Sequence, residues 1–301
     1  MTSLPNFLII GAAKSGTSAL FAAMRQHPQV FACPLKEPRF FAFEDEMPRF
    51  GGPPFNDYMQ YPTISRLADY QALFAAAGDA KARGEASTVY TYFPGDKPAE
   101  RIRHYLPDVR LFVLLRQPAE RAYSNFVHAV SSGWEPLADF AAAWADEPRR
   151  IRENWSYFLR YRQNSDYLTQ LRRYYARFDR RQIRVYLYED LCADPLALVQ
   201  DVFRFLEIDD SFVPDLSGRY NVSRLPHNCH LNRLVNRSQF AAPLRRLPRP
   251  LYRVIVGGIN RLNLYRPAFP AEMRLQLTAA FRPDILRLQD LIGRDLSGWL
   301  S

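Results

Sequence analysis

Residues 6–20 read NFLIIGAAKSGTSAL, and this stretch decides the fold. Residues 7–10 form a short apolar run that ends at Gly11, and residues 18–27 carry apolar side chains at helical spacing. The order predicts a buried strand, a glycine-containing turn and a helix, with which many nucleotide-binding α/β folds begin.

The same alternation continues along the chain. Residues 84–93, 110–115 and 183–189 have the composition of strands, and residues 64–78, 97–106, 118–130, 154–178 and 195–206 that of helices. Strands that alternate with helices predict a parallel sheet covered on both faces. We therefore expect an α/β fold, a P-loop-like parallel sheet flanked by helices, as a single domain over residues 1–301, with residues 211–301 as a helical extension.

Composition limits the class of protein. The 301 residues are 48% hydrophobic, enough for one large core, and 40 Lys plus Arg outnumber 31 Asp plus Glu, which favours an anionic partner. Cys33, Cys192 and Cys229 lack disulfide or metal-ligand spacing, so we expect no metal site. With neither a signal peptide nor a transmembrane segment evident, we expect a cytoplasmic protein.

The turn at residues 11–19, GAAKSGTSA, has the features of a phosphate-binding loop. Small side chains let backbone N–H groups approach phosphate oxygens, the start of the helix adds partial positive charge, and Lys14 adds a full charge. A nucleoside-triphosphate loop would read GxxxxGK[ST], whereas here the lysine precedes the second glycine. The same residues also fit a tight strand-to-helix turn with Lys14 in solvent.

Five ordered motifs carry a more specific resemblance. They are IIGAAKSGTSAL (9–20), PLKEPRFF (34–41), GEASTVYTYF (84–93), LFVLLRQPAERAYSNF (111–126) and YLYEDLCADP followed by FRFL (186–206). In this order they resemble the family of sulfotransferases that use 3′-phosphoadenosine 5′-phosphosulfate (PAPS). The chain is most similar to bacterial members and to the heparan sulfate sulfotransferase branch, over residues 6–210.

The resemblance implies a nucleotide site built from two motifs. In the first loop, Lys14 would neutralise charge on the leaving phosphate, and Ser15, Gly16, Thr17 and Ser18 would supply N–H and hydroxyl donors.

In the second motif, Arg116 and Ser124 would bind the 3′-phosphate. Taken alone, Arg116 fits an ion pair with Glu120 equally well, and Ser124 an exposed position. Arg224, in RYNVSRLPHN (219–228), is a further expected contact to the adenosine nucleotide.

By the same resemblance, Glu37 is the catalytic base that takes the proton of the acceptor. Taken alone, Glu37 between Lys36 and Arg39 fits a surface ion pair. His27 and Glu85 are the weaker candidates for the base. The chain departs from the heparan-type pattern at Ala86, where that branch has a lysine, and Lys36 is the candidate to replace its charge.

The expected activity is metal-free, in-line transfer of the sulfuryl group of PAPS to a hydroxyl or amine, releasing adenosine 3′,5′-bisphosphate. The expected acceptor is a small molecule, carbohydrate, lipid or natural product, with no nucleic-acid partner, and the oligomeric state stays open. The alternatives are a P-loop kinase-like phosphotransferase and a non-catalytic nucleotide- or polyanion-binding protein. The Arg-rich residues 149–184 fit an acceptor surface or, as favoured here, helices with Trp155, Phe158, Tyr161 and Tyr167 packed inward.

Overall fold

A parallel sheet of five strands forms the centre of the protein. The computed structural model describes residues 4–47, 49–52, 63–218, 225–226, 249–265 and 267–301. The strands are β1 (Phe7–Gly11), β2 (Val30–Ala32), β3 (Ala82–Ala86), β4 (Arg110–Leu115) and β5 (Ile183–Leu187). Their order is β2-β3-β1-β4-β5, and each neighbouring pair is parallel.

β1 and β4 are buried on both faces, as their unbroken apolar sequences predict. Successive side chains of a strand point to opposite faces. Leu8 and Ile10 therefore contribute to one core cluster, and Phe7 and Ile9 to the other. The sheet separates two hydrophobic cores, which matches the doubly covered sheet that the sequence predicts.

Helices cover both faces of the sheet. They are α1 (Thr17–Met24), α2 (Phe40–Phe43), α3 (Leu67–Ala72), α4 (Val89–Tyr92), α5 (Lys97–Tyr105), α6 (Pro118–Ser131), α7 (Phe140–Ala145), α8 (Glu147–Arg152), α9 (Tyr167–Tyr175), α10 (Tyr188–Ala193), α11 (Pro195–Phe205), α12 (Arg249–Asn263) and α13 (Ala271–Ile292). One core contains side chains of α1 and α11, and the other contains side chains of α5, α6, α9 and α13.

The C-terminal part of the chain packs onto the same core. α13 lies against α6 and α9, and the Gln117 amide donates to Thr278 Oγ1 at 3.0 Å and to the Trp299 carbonyl at 3.3 Å. Two short strands, β6 (Leu225–Pro226) and β7 (Leu264–Tyr265), pair antiparallel. Within the described ranges, no helix is long and apolar enough to cross a bilayer.

The strand predicted over residues 84–93 is wrong in its second half. β3 ends at Ala86, and α4 begins at Val89. Both halves are buried, so the aromatic and β-branched composition does not separate a strand from a short core helix. Packing decides between them: Tyr174 Oη on α9 donates to the Tyr90 carbonyl at 2.8 Å.

Two predicted helices are shorter than their sequences suggest. The single helix expected over 154–178 is two 3-10 turns, at Tyr157–Leu159 and Gln163–Ser165, followed by α9. The Asp166 side chain caps α9 by accepting from Thr169 N at 3.0 Å, which starts a new helix there. Over residues 64–78 the helix α3 is followed by a 3-10 turn at Ala75–Ala77.

The aromatic side chains of the Arg-rich segment point into the core. Trp155, Phe158, Tyr161 and Tyr167 are all buried, which confirms the inward packing favoured from their spacing.

Candidate active site

A cleft of about 230 Å³ lies at the carboxyl ends of the strands. Its lining includes residues that follow four of the strands: Lys14 after β1, Thr88 after β3, Arg116 after β4 and Tyr188 after β5. The chain leaves β1 toward β2 on one side of the sheet, whereas it leaves the neighbouring β4 toward β5 on the other side. Ligands of open α/β sheets bind at such a point.

The turn between β1 and α1 forms one wall of the cleft. Lys14 has φ 70° and Gly16 has φ 95°, both in the left-handed region. A Cβ at Gly16 would lie 2.6 Å from Leu191 Cδ2, so glycine is needed for conformation and for space. The turn leads into α1, and the N-terminal end of a helix attracts anions. Ala19 N and Leu20 N already donate to the Gly16 carbonyl, at 2.9 and 3.2 Å, so Thr17 N and Ser18 N are the groups of this end that a ligand would meet.

Lys14 lies in a positively charged environment. Its pKa is lowered to about 8, mainly by burial and then by the charges of Arg116, Lys36 and Arg121, while the charge of Glu37 opposes them. A lysine with a lowered pKa beside other cations marks a place where positive charge is not fully compensated. An anion bound at this place would relieve the repulsion.

Arg116 and Ser124 lie on the same cleft, as the sequence predicts for a 3′-phosphate site. Arg116 directly follows β4, and Ser124 is two turns into α6. The guanidinium also pairs with Glu120 Oε2 at 3.3 Å and stacks over the Tyr188 ring at 4.9 Å. Arg116 therefore pairs with Glu120 and lines the cleft at the same time.

α6 is held in place by the buried Arg121, which lies one helical turn before Ser124. Arg121 donates to Ser165 Oγ at 2.8 Å, to Asn125 Oδ1 at 2.8 Å and to the Tyr161 carbonyl at 2.9 Å. Burial is the main cause that lowers its pKa. These contacts fix the helix that presents Ser124.

The other residues expected to donate hydrogen bonds from this loop differ in whether they line the cleft. Gly16, Thr17 and Ser18 line the cleft, whereas the Ser15 side chain is fully buried outside the lining and its N–H donates to the Ala12 carbonyl at 3.3 Å. Arg224 lies outside the described residues.

Glu37 faces the cleft from the segment after β2. Its carboxylate lies 3.7 Å from Arg39 Nη2 and accepts a long hydrogen bond of 3.5 Å from Thr88 Oγ1. Both Glu37 (φ 53°) and Arg39 (φ 62°) have left-handed backbone conformations. Lys36, which precedes Glu37, lines the same cleft.

The two weaker candidates for the base lie away from the cleft. His27 accepts from Gln29 N at 3.0 Å, its Nε2 contacts the Asp209 carbonyl at 2.8 Å, and its ring packs on Phe203 and Phe212. It is a core histidine with both ring nitrogens bonded. Glu85 is buried beneath the cleft floor, where Tyr90 Oη donates to it at 2.6 Å.

Sequence analysis missed a group of aromatic side chains that line the same cleft, called the aromatic wall below. It consists of Tyr92, His128, Trp134 and Phe158. Burial and the charges of Lys14 and Lys36 lower the pKa of His128 to about 3, so its imidazole is neutral. His128 stands one helical turn after Ser124, and this i, i+4 spacing was the signal available in the sequence.

Together these features define a class: an α/β protein with a positively charged cleft at the switch point of its sheet. Comparison with known proteins makes the class specific. A family model described as "Sulfotransferase domain" matches residues 4–240. The chain belongs to this sulfotransferase family, which confirms the resemblance seen in the sequence.

Individual relatives agree with this assignment. A crystal structure of a sulfotransferase from Alicyclobacillus acidocaldarius is 32% identical, has a TM-score of 0.78 and is matched over 99% of this chain and 100% of its own. The sulfotransferase domain from the curacin biosynthetic pathway shares the fold at 15% identity and a TM-score of 0.50, over 86% of this chain and 97% of its own.

Curated relatives include larger enzymes. The bifunctional heparan sulfate N-deacetylase/N-sulfotransferase of Drosophila melanogaster is 27% identical over 74% of this chain and 21% of its own length. Carbohydrate sulfotransferase 15 of Rattus norvegicus is 30% identical over 43% of this chain and 28% of its own. The chain thus spans between a fifth and a third of their lengths, and family membership supports sulfuryl transfer.

Proposed function

We propose that this protein transfers the sulfuryl group of PAPS to a hydroxyl or amine and releases adenosine 3′,5′-bisphosphate. The observation that carries the proposal is the convergence of Lys14, Arg116, Ser124 and Glu37 on one cleft. These residues come from three separate parts of the sequence.

The donor set fits a nucleotide with several negative charges. Among the described residues that line the cleft, four are cationic (Lys14, Lys36, Arg39 and Arg116) and one, Glu37, is a carboxylate. Gly16 keeps the loop open to a ligand, and α1 directs its first N–H groups there. Bound PAPS would supply the activated sulfuryl group on its 5′-phosphate.

Each side chain has a role in the transfer. Lys14 and the N–H groups of α1 hold the 5′-phosphate side and stabilise the negative charge that develops on the leaving phosphate oxygen. Arg116 and Ser124 bind the 3′-phosphate and orient the nucleotide. Glu37 accepts the acceptor proton as the new sulfur–oxygen or sulfur–nitrogen bond forms and the old sulfur–oxygen bond breaks.

The aromatic wall is the proposed acceptor side. Tyr92, Trp134 and Phe158 offer ring faces, and the neutral His128 offers a hydrogen bond without adding charge. The printed names of two relatives refer to heparan sulfate and to carbohydrate, so a carbohydrate is the first acceptor class to test. The cytoplasmic location and the binding role of Arg224 stay predictions.

The decisive experiment measures transfer of labelled sulfate from PAPS to a panel of carbohydrates, phenols and amines. Transfer to any acceptor supports the proposal. Tight binding of adenosine 3′,5′-bisphosphate without transfer would favour a non-catalytic nucleotide-binding protein. Binding of ATP with magnesium in place of the bisphosphate would favour a kinase-like phosphotransferase.

Two variants test the assigned roles. Arg116→Ala should weaken bisphosphate affinity by ~10–100-fold, the size expected for a charged hydrogen bond, whereas Arg181→Ala, an exposed arginine outside the lining, should not. Glu37→Gln should keep bisphosphate affinity and lose transfer. Full transfer activity in Glu37→Gln would exclude it as the base.

A further inference from the structure

Glu85 is a buried carboxyl that the proposed reaction does not use. It lies on β3 beside Leu8 of β1 and has no exposed surface. Tyr90 Oη donates to its Oε1 at 2.6 Å and Tyr70 Oη at 3.4 Å. Within the part of the chain that the structure describes, Glu85 forms no ion pair. A buried carboxyl that accepts from hydroxyl groups without such a pair is unusual enough to need an explanation.

Ser87 connects Glu85 to the loop that bears Glu37. Its hydroxyl oxygen accepts from the Arg39 backbone N–H at 3.1 Å, and the hydroxyl lies beside the Glu85 carboxyl. Within the described residues Glu85 Oε2 has no hydrogen-bond partner of ordinary geometry, so the adjacent Ser87 hydroxyl, whose oxygen already accepts from Arg39, is the donor that would satisfy it. The connection therefore runs from Glu85 through Ser87 to the Arg39 backbone.

The end of this connection is a left-handed turn. Glu37 and Arg39 both have positive φ, a conformation that residues with a side chain adopt only when their surroundings enforce it. Tyr70 also supports this turn, because its ring stacks on the ring of Phe40, the residue after Arg39, with 4.6 Å between the ring centroids. The groups that hold Glu85 thus also pack against the turn that directs Glu37 into the cleft.

We propose that Glu85 is a positioning residue: its ionised carboxylate holds Ser87, and Ser87 holds the turn that directs Glu37 at the acceptor. This inference rests on the proposed function for its effect on rate, but its structural part is independent of that function. Protonation of Glu85 would remove the strong acceptor for the Ser87 hydroxyl and loosen the turn.

The carboxyl of Glu85 changes its protonation state near neutral pH, where turnover can be measured. The pKa of Glu85 is raised to about 7, and burial is the main cause. The charge of Glu37 also raises the pKa, whereas the hydrogen bonds from Tyr90, Ser87 and Tyr70 lower it. The other titratable group that faces it is Cys33, whose pKa is raised to about 12 by burial, so this thiol is neutral. Tyr70 and Tyr90 are also neutral, because burial raises the pKa of each phenol.

The activity-independent test measures amide exchange at Arg39 by NMR. Protection of the Arg39 N–H should rise as pH increases through about 7, after correction for intrinsic exchange. Ser87→Ala and Glu85→Gln should each remove this rise. Equal protection on both sides of pH 7 in the unmodified protein would overturn the proposal whether or not the protein transfers sulfate.

The second test is the pH profile of turnover. In the unmodified protein kcat should rise through pH 7, and Glu85→Gln should abolish this step and lower kcat by about tenfold at pH 8, the size of one hydrogen bond. Bisphosphate affinity should not change. Glu147→Gln, at a buried carboxyl that accepts from Arg162 N and Gln163 N, is the matched control and should keep the step.

Two conservative variants make the test specific to Glu85. Tyr90→Phe removes a donor that favours the ionised form, so the step should move to higher pH, and Tyr70→Phe should move it less because its bond is longer. A step that stays in place in both variants would show that another group titrates and would overturn the proposal.

Discussion

Lys14 is the side chain on which the proposed transfer depends most directly. If its ammonium stabilises the leaving phosphate, Lys14→Ala should lower kcat by ~10²–10³-fold, as for the loss of one stabilising donor in other enzymes. Lys81→Ala, at an exposed lysine outside the cleft lining, is the control for loss of one positive charge. An unchanged kcat in Lys14→Ala would contradict the role assigned to the loop.

The lowered pKa of Lys14 predicts a pH dependence of nucleotide binding. A bound anion favours the charged form, so binding raises the pKa of Lys14 above the value of about 8 in the free protein. Below pH 8 Lys14 is already charged and contributes no dependence. Above pH 8 binding takes up a proton, and affinity falls as pH rises.

Calorimetry in two buffers with different ionisation enthalpies measures this uptake. With adenosine 3′,5′-bisphosphate, uptake should approach one proton at pH 9 and be small at pH 7. Lys14→Arg keeps the charge at both pH values and should show little uptake. The same uptake at pH 9 in Lys14→Arg would assign the proton to another group.

At the scale of elements, a buried ion pair fixes the connection between α6 and α8. Arg150 donates to both oxygens of Glu135, at 2.7 and 2.8 Å, and neither side chain is exposed. Tyr161 Oη also donates to Glu135 at 2.5 Å. Trp134 directly precedes Glu135 in the chain, so the pair supports the aromatic wall.

Removing one partner of this pair should be costly. Arg150→Leu leaves a buried carboxylate uncompensated and should lower the free energy of unfolding by about 3–5 kcal/mol. The double variant Glu135→Leu with Arg150→Leu should recover part of that loss. Chemical denaturation measures both, with Arg66→Ala, at an exposed pair with Asp69, as the control. A single variant as stable as the double variant would contradict this account.

Elements buried on both sides were predictable from the sequence, and those shaped by local contacts were not. β1 and β4 have apolar runs that only a covered parallel strand explains, so their positions follow from composition. The run at 84–93 is also buried throughout, but β3 ends at Ala86 and α4 begins at Val89. The caps at Ser156 and Asp166 divided the segment that spacing alone predicts as one helix.

The same distinction applies to the cleft. Lys14, Glu37, Arg116 and Ser124 were found because they lie in ordered motifs close to strand ends. Tyr92, Trp134 and Phe158 come from segments that only tertiary packing brings together. Sequence patterns describe neighbours along the chain, and a cleft wall consists of neighbours in space.

At the scale of the whole molecule, Glu85 should make stability depend on pH. Its folded pKa of about 7 lies above the ordinary 4.5, so the folded protein binds this proton more tightly than the unfolded chain does. The protonated Glu85 therefore contributes to the free energy of unfolding, and this contribution is fully present below pH 4.5 and is lost as pH rises through 7. The total loss is roughly 3 kcal/mol, from 1.36 kcal/mol per pKa unit.

Comparison of Glu85→Gln with the unmodified protein isolates the contribution of Glu85 to the pH dependence of stability. Urea unfolding at pH 5 and pH 8 should show that Glu85→Gln gains stability relative to the unmodified protein as pH rises, by most of that amount. The expected sign is opposite to that of a salt-bridged carboxylate. An identical change in both proteins would show that Glu85 does not titrate in this range.

One amide side chain joins the start of α6, next to Arg116, to the C-terminal part of the fold. Gln117 accepts from Glu120 N at 2.8 Å, which caps α6, and the same side chain reaches Thr278 and the Trp299 carbonyl. In a mutational scan for weakened nucleotide affinity, substitutions at Thr278 should therefore rank with those near Arg116, although Thr278 is remote in sequence.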